Sequence, residues 1–154
     1  MGSEMCIRDS MNTILLFLAL IVILFFLLGL KSQKGKAKGL EKGRLVDCGV
    51  SPNCVCSEAD TQPEREVAPF KANLRDIRAA IVATGGTITR EQDGYISATY
   101  MSKLFKFVDD VEFRDAGAGI VHVRSASRVG FSDRGVNRRR VAMIKAALSS
   151  TRTA

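Results

Sequence analysis

From Ile14 to Leu30 the chain reads ILLFLALIVILFFLLGL, 17 residues without a charged or polar side chain. As a helix rising about 1.5 Å per residue this run is about 25 Å long, and Met11–Thr13 extend it toward the thickness of a bilayer's hydrocarbon core. A core helix of a small domain carries a polar stripe, and this run carries none. Beyond it the pattern becomes periodic. Leu74, Ile77 and Ile81 recur at i, i+3 and i+7, which predicts a helix capped by Asn73 and ended by Gly85-Gly86. Thr87–Arg90 and Tyr95–Met101 predict two strands joined by a turn at Gln92-Asp93-Gly94. Val141, Ile144 and Leu148 predict a last helix, Asn137–Ser149, with Asn137 as its cap.

Between these elements lies the stretch richest in chemistry, from Phe105 to Val141. Strict alternation places Phe107, Asp109, Val111 and Phe113 on one side of a strand and Val108, Asp110, Glu112 and Arg114 on the other. After Ala116-Gly117-Ala118-Gly119 a second strand sets Val121, Val123, Ser125 and Ser127 against His122, Arg124, Ala126 and Arg128. Opposed residues of an antiparallel pair share a face, so matching the apolar faces needs a loop with an odd number of residues. A five-residue loop, Asp115–Gly119, pairs Glu112 with His122 and Asp110 with Arg124; a three-residue loop pairs Glu112 with Arg124. Either register sets carboxylates against basic groups on an outer, solvated face, with Asp109 as a carboxylate on the core face that must be paired, hydrogen-bonded or at the rim. The predicted fold is α+β: one transmembrane helix, then a small domain with an antiparallel sheet of about four strands packed by two helices.

Composition adds charge and a boundary. The chain holds 23 basic and 16 acidic residues, a net charge of +7, with one histidine and no tryptophan. Its first ten residues, MGSEMCIRDS, resemble an in-frame translation of a sequencing-library adapter and are set aside as one sets aside a fusion scar. That removes one basic and two acidic residues, so the rest carries +8. The organisation expected is an artefact at 1–10, an anchor in the lipid bilayer at 11–30, a basic flexible tether at 31–44, one domain at 45–150 and a disordered tail at 151–154. A cleaved signal peptide competes with the anchor, but LLGLKSQKGK offers no small-residue cleavage site. Lys31, Lys34, Lys36, Lys38, Lys42 and Arg44 favour a cytoplasmic flank. Nucleic-acid binding is disfavoured, because much of the charge sits in the tether and aromatic residues are few.

Cys48-Gly-Val-Ser-Pro-Asn-Cys54-Val-Cys56 holds turn residues that bring Cys48 and Cys54 near one another. Three readings stand for these cysteines: a Cys48–Cys54 disulfide, free thiols, or a metal site whose spacing matches no familiar zinc pattern. The disulfide asks for an oxidising compartment and so opposes the cytoplasmic flank. No metal and no cofactor is expected.

The segments CGVSPNCVCS, FKFVDDVEF and VRSASRVGFSDRGVNRRRV resemble the domain-of-unknown-function family 1499 of bacteria and plant plastids, over about Leu45–Leu148. Cys56 departs from the Ser expected there. The resemblance implies a shared small fold, often behind an apolar N-terminal segment, and no activity. Candidate ligand-binding residues are Asp109, Asp110, Glu112, Arg124, Ser125, Ser127, Arg128, Asp133, Asn137, Arg138 and Arg139. Arginine forks and helix N–H groups suit phosphate or carboxylate, while Arg138–Arg140 at a helix start also invite pairing with Asp133, Asp109 or Asp110. The function expected is a non-catalytic binding or structural module of the bacterial envelope, anchored in the inner membrane and taking an anionic ligand or an envelope protein. The alternative is a small hydrolase-like enzyme using Asp109, Asp110 and Glu112 with Arg124 and Arg128.

Overall fold

A computed structural model describes the backbone of residues 2–151 and the side chains of 11–150. Of the tail expected at 151–154, Thr151 closes the last helix instead, and residues 152–154 lie outside the described residues, as do the side chains of the adapter-like residues 1–10. In chain order the elements are α1 (Gly2–Gln33), β1 (Leu40–Glu41), β2 (Arg44–Leu45), β3 (Cys54–Cys56), β4 (Phe70–Lys71), α2 (Leu74–Ala83), β5 (Thr87–Gln92), β6 (Tyr95–Met101), β7 (Val108–Asp115), β8 (Ile120–Ser127) and α3 (Val136–Thr151).

The α+β class holds, but the sheet is larger than about four strands. Six strands form it, in the order β3-β8-β7-β6-β5 with β4 also on β8, and all pairs are antiparallel. Strands β3 and β4 are too short for a periodicity signal. They take the free edge of β8 in turn, β4 at Val121 and β3 at Arg124–Ala126. The three-residue alternative is the one realised between β7 and β8: Glu112 faces Arg124, and the backbone N–H of Ala116 donates to Ile120 across Gly117–Gly119. Gly117 and Gly119 adopt positive φ there, as so tight a loop requires.

One face of the sheet carries Ile96, Ala98, Val111, Phe113, Val121 and Val123 and is covered by α2 and α3 through Ile77, Ile81, Val141, Ile144 and Leu148. Asn73 caps α2 by accepting from the Asp76 N–H at 2.8 Å. Asn137 does not cap α3. The helix begins at Val136, and Asp133 accepts from the N–H groups of Gly135 at 3.0 Å and Asn137 at 2.7 Å, which frees the Asn137 side chain to turn into the core.

The opposite face, expected to be solvated, is buried as well. Residues 28–48 and 57–61 lie over it, and the small β1–β2 ribbon belongs to that cover. The stretch 31–44 is therefore not a free tether: the Gly39 N–H donates to Glu112 at 2.7 Å, and Arg128 reaches the Ser32 carbonyl at 3.1 Å. Cys48 and Cys54 form a disulfide, and Cys56 is a free, buried thiol beside it. Helix α1 is long and apolar enough to cross a membrane over Met11–Gln33, and the side chains from Met11 onward stay exposed until the last two turns meet the domain.

Candidate functional site

Alternation along β7 and β8 sends the expected site residues to both sides of the sheet. Asp110, Glu112, Arg124 and Arg128 share the face under the N-terminal segment. Asp109, Ser125 and Ser127 lie on the helix face, together with Asn137 from α3. The three carboxylates of the hydrolase-like reading therefore do not converge.

Three ion-paired centres occupy the face under the N-terminal segment. At the first, Arg128 holds Asp110 with both fork nitrogens, at 2.8 and 2.7 Å, and also donates to the Ser32 carbonyl at the end of α1. At the second, Glu112 is fully buried and accepts from the Tyr95 hydroxyl at 2.7 Å, the Gly39 N–H at 2.7 Å and Arg124 at 2.9 Å. Burial first, and then the neighbouring Glu112 carboxylate, push the Tyr95 phenol above its ordinary range, so it stays a proton donor. Arg124 is buried too, and its Nε has no partner among the described residues, so Glu112 is its one charge-neutralising contact.

The third centre is Glu58. It takes Arg114 in a two-pronged pair at 2.8 and 3.1 Å, Arg44 at 3.2 Å and the Leu45 N–H at 3.1 Å. Burial alone would raise its pKa; Arg114, the Leu45 N–H, His122 and Arg44 outweigh that and hold it at about 2. His122 Nδ1 lies 2.9 Å from the Ser57 carbonyl oxygen and 3.1 Å from its hydroxyl. Ser57, Glu58 and Tyr95 belong to this layer although nothing in their local pattern marked them. SEADTQPERE reads as an irregular polar loop, and only the Cys56–Ser57 approach to β8 carries it inward.

On the helix face, Asp109 pairs with Arg140 at 2.7 Å, and the Arg140 guanidinium stands 4.9 Å from the centre of the Tyr100 ring. Asn137 is fully buried. It accepts from the Ser125 hydroxyl at 2.6 Å and from Arg140 at 2.8 Å, and donates to the Asn53 carbonyl and the Ser127 hydroxyl. Arg138 instead reaches outward to the carbonyls of Glu64 and Glu66, and Arg139 to that of Arg134. The expected arginine cluster is thus dispersed into separate structural contacts.

Where the charge layer meets solvent near the end of α1 there is a cleft of about 310 Å³, lined by Gly35, Lys36, Ala37, Thr89, Arg90, Tyr95, Ser97 and Arg128. A bulge in β5 shapes it. The register shifts between Ile88 and Arg90, so consecutive residues Thr89 and Arg90 both reach this side. The Thr89 hydroxyl is hydrogen-bonded to that of Ser97 at 2.9 Å. Arg128 is neutralised by Asp110, whereas Lys36 and Arg90 have no carboxylate partner among the described residues. Two uncompensated cations and a bank of hydroxyls suit an oxyanion. Among the described residues no group of three or more His, Cys, Asp or Glu side chains is placed to hold a metal ion.

The model of one protein family, described as "Protein of unknown function (DUF1499)", matches residues 44–148. The chain belongs to this family. No curated protein and no solved structure matches it.

Proposed function

We propose that this chain is a single-pass, membrane-anchored and non-catalytic binding module of the bacterial cell envelope, whose ligand is an anionic, phosphate-like group held in the cleft of Lys36, Thr89, Arg90 and Ser97. The observation that carries the reading is the division of labour among the charges. Asp109, Asp110, Glu112 and Glu58 are each taken up by arginine, whereas Lys36, three residues beyond the end of α1, and Arg90 in β5 have no carboxylate partner among the described residues and stand beside hydroxyl groups. A carboxylate already holding an arginine is poorly placed to take a substrate proton, which argues against the hydrolase-like alternative. The Cys48–Cys54 disulfide favours a domain outside the cytoplasm. Lys31, Lys34 and Lys38, exposed just past the apolar run, then face the headgroups of that leaflet.

The test uses the full chain in phosphatidylcholine nanodiscs. Phosphatidylglycerol is added in one arm and inorganic phosphate in the other, so that a lipid headgroup and a free anion are distinguished. The native protein is expected to bind one of the two, and Lys36→Glu/Arg90→Glu is expected to lower that affinity at least tenfold, since a charge-assisted hydrogen bond contributes about 1.5–3 kcal/mol. Equal binding by the native protein and the double variant would refute the site.

A further inference from the structure

We propose that the β6–β7 loop, Ser102–Phe107, is a second point of membrane contact that dips into the bilayer beside α1 and fixes how the domain sits on the lipid surface. The inference rests on the anchor reading of α1 and goes beyond it. Phe105 packs on Phe25 and Phe26 with ring centroids 5.2 and 5.3 Å apart, and Phe107 lies 6.2 Å from Phe25. Both helix phenylalanines belong to the apolar run itself. Phe25 precedes its last residue, Leu30, by five positions, which is about 7 Å along the helix axis. The Phe105 ring centre therefore lies within 5.2 Å of the depth of the Phe25 ring centre.

The helix admits the loop this closely because residue 29 is glycine. A Cβ there would stand 1.8 Å from the Phe105 carbonyl oxygen. A second tie holds the loop's end: Ser32 Oγ accepts from the Val108 N–H at 3.1 Å. With Phe105 against the helix, its neighbour Leu104 points away from the protein, 68% exposed, and Met101 at the end of β6 is 56% exposed. Lys103 and Lys106 flank Leu104 and Phe105. Long amines beside an apolar tip suit a segment lying at the boundary of acyl chain and headgroup, with the amines extended toward phosphate. A bilayer is the occupant that this patch fits, because the patch is continuous with the span.

The chain has no tryptophan, so one introduced residue becomes a clean depth probe. Single variants Leu104→Trp, Leu20→Trp and Asp93→Trp of the full chain would be placed in vesicles containing lipids brominated near the headgroup end of the acyl chains or, separately, near their methyl ends. Asp93 sits in the β5–β6 turn at the far end of the β6–β7 hairpin, about 20 Å from the loop at about 3.3 Å per residue. Leu104→Trp is expected to be quenched severalfold more than Asp93→Trp, and more by the shallow bromines than by the deep ones. Leu20→Trp is expected to show the reverse depth preference. Quenching at Leu20 with none at Leu104 would overturn the loop contact and leave the anchor standing. No quenching at Leu20 would overturn the anchor and the loop contact together.

Discussion

Glu112 and Arg124 offer the sharpest test of the claim that the carboxylate layer is architecture. Glu112→Gln keeps an oxygen able to accept from Tyr95 and Gly39 but turns an amide toward Arg124. The guanidinium is left buried with no countercharge, since Glu112 is fully buried and only 5% of the Arg124 side chain is exposed. Removing one member of such a pair costs about 3–5 kcal/mol, a large share of the roughly 5–15 kcal/mol that holds a domain folded. For a domain of this size that corresponds to a fall in Tm of well over 10 °C, at about 4–8 °C per kcal/mol. Arg124→Met strands the carboxylate instead and is expected to cost a similar amount. In Glu112→Gln/Arg124→Met neither position carries a charge and none is left there without a partner, so the double variant is expected to be more stable than either single one. The assay is urea unfolding of the full chain in detergent, followed by tyrosine fluorescence. The two tyrosines, Tyr95 and Tyr100, both lie in β6 and no tryptophan masks them. Single variants that each cost under about 1 kcal/mol, the worth of a solvated pair, would refute the reasoning, as would a double variant whose loss equals the sum of the two.

Other consequences follow from the same contacts. Glu58 has a folded-state pKa of about 2 against an ordinary 4.5, so its pairing stabilises fully above pH 4.5 and is lost as pH falls toward 2; this is worth about 3 kcal/mol, and an acid titration of Glu58→Gln should lack that part of the slope. Opening the Cys48–Cys54 bond by Cys48→Ser/Cys54→Ser should cost about 2 kcal/mol, because the closed loop is short, and mass measurement after alkylation of intact cells should show the native bond already formed. Burial raises the Cys56 thiol above its ordinary pKa, so it should react with maleimide only on unfolding. Asn137→Ala removes the partner of the Ser125 hydroxyl and of the Asn53 carbonyl, and should destabilise by about 2–3 kcal/mol with no change in anion binding at the cleft.

Local pattern carried much of this architecture. The apolar run of α1, the Asn73 cap, the aliphatic stripes of α2 and α3 and the alternation of β7 and β8 each have a period or a cap that can be read without tertiary information. Parity also confined the β7–β8 register to two choices, one of which placed Glu112 opposite Arg124. Burial of the charged face was not legible in the same way. Asp110, Glu112, Arg114, Arg124 and Arg128 look solvated because polar residues alternate with apolar ones. Their cover comes from residues 28–48 and 57–61, about 50 or more positions away, and carries no periodicity that points to them. Glu58 is not legible for the same reason, since its partners Arg44, Leu45 and Arg114 come from other parts of the chain. The place of Asn137 before an apolar stripe suits a cap, but Asp133 fills that role and the amide serves the core. The cleft depends on a strand bulge at Thr89, a shift of one residue that composition does not encode.

The measurement that bears most directly on the proposed function is retention of a phosphate-bearing lipid by the full chain, read by native mass spectrometry from phosphatidylglycerol nanodiscs for the native protein and for Lys36→Glu/Arg90→Glu. The account predicts a bound phosphatidylglycerol on the native protein, or its competitive loss to added inorganic phosphate, and neither in the double variant. Identical lipid retention by both proteins, or none by either together with no phosphate binding, would contradict it.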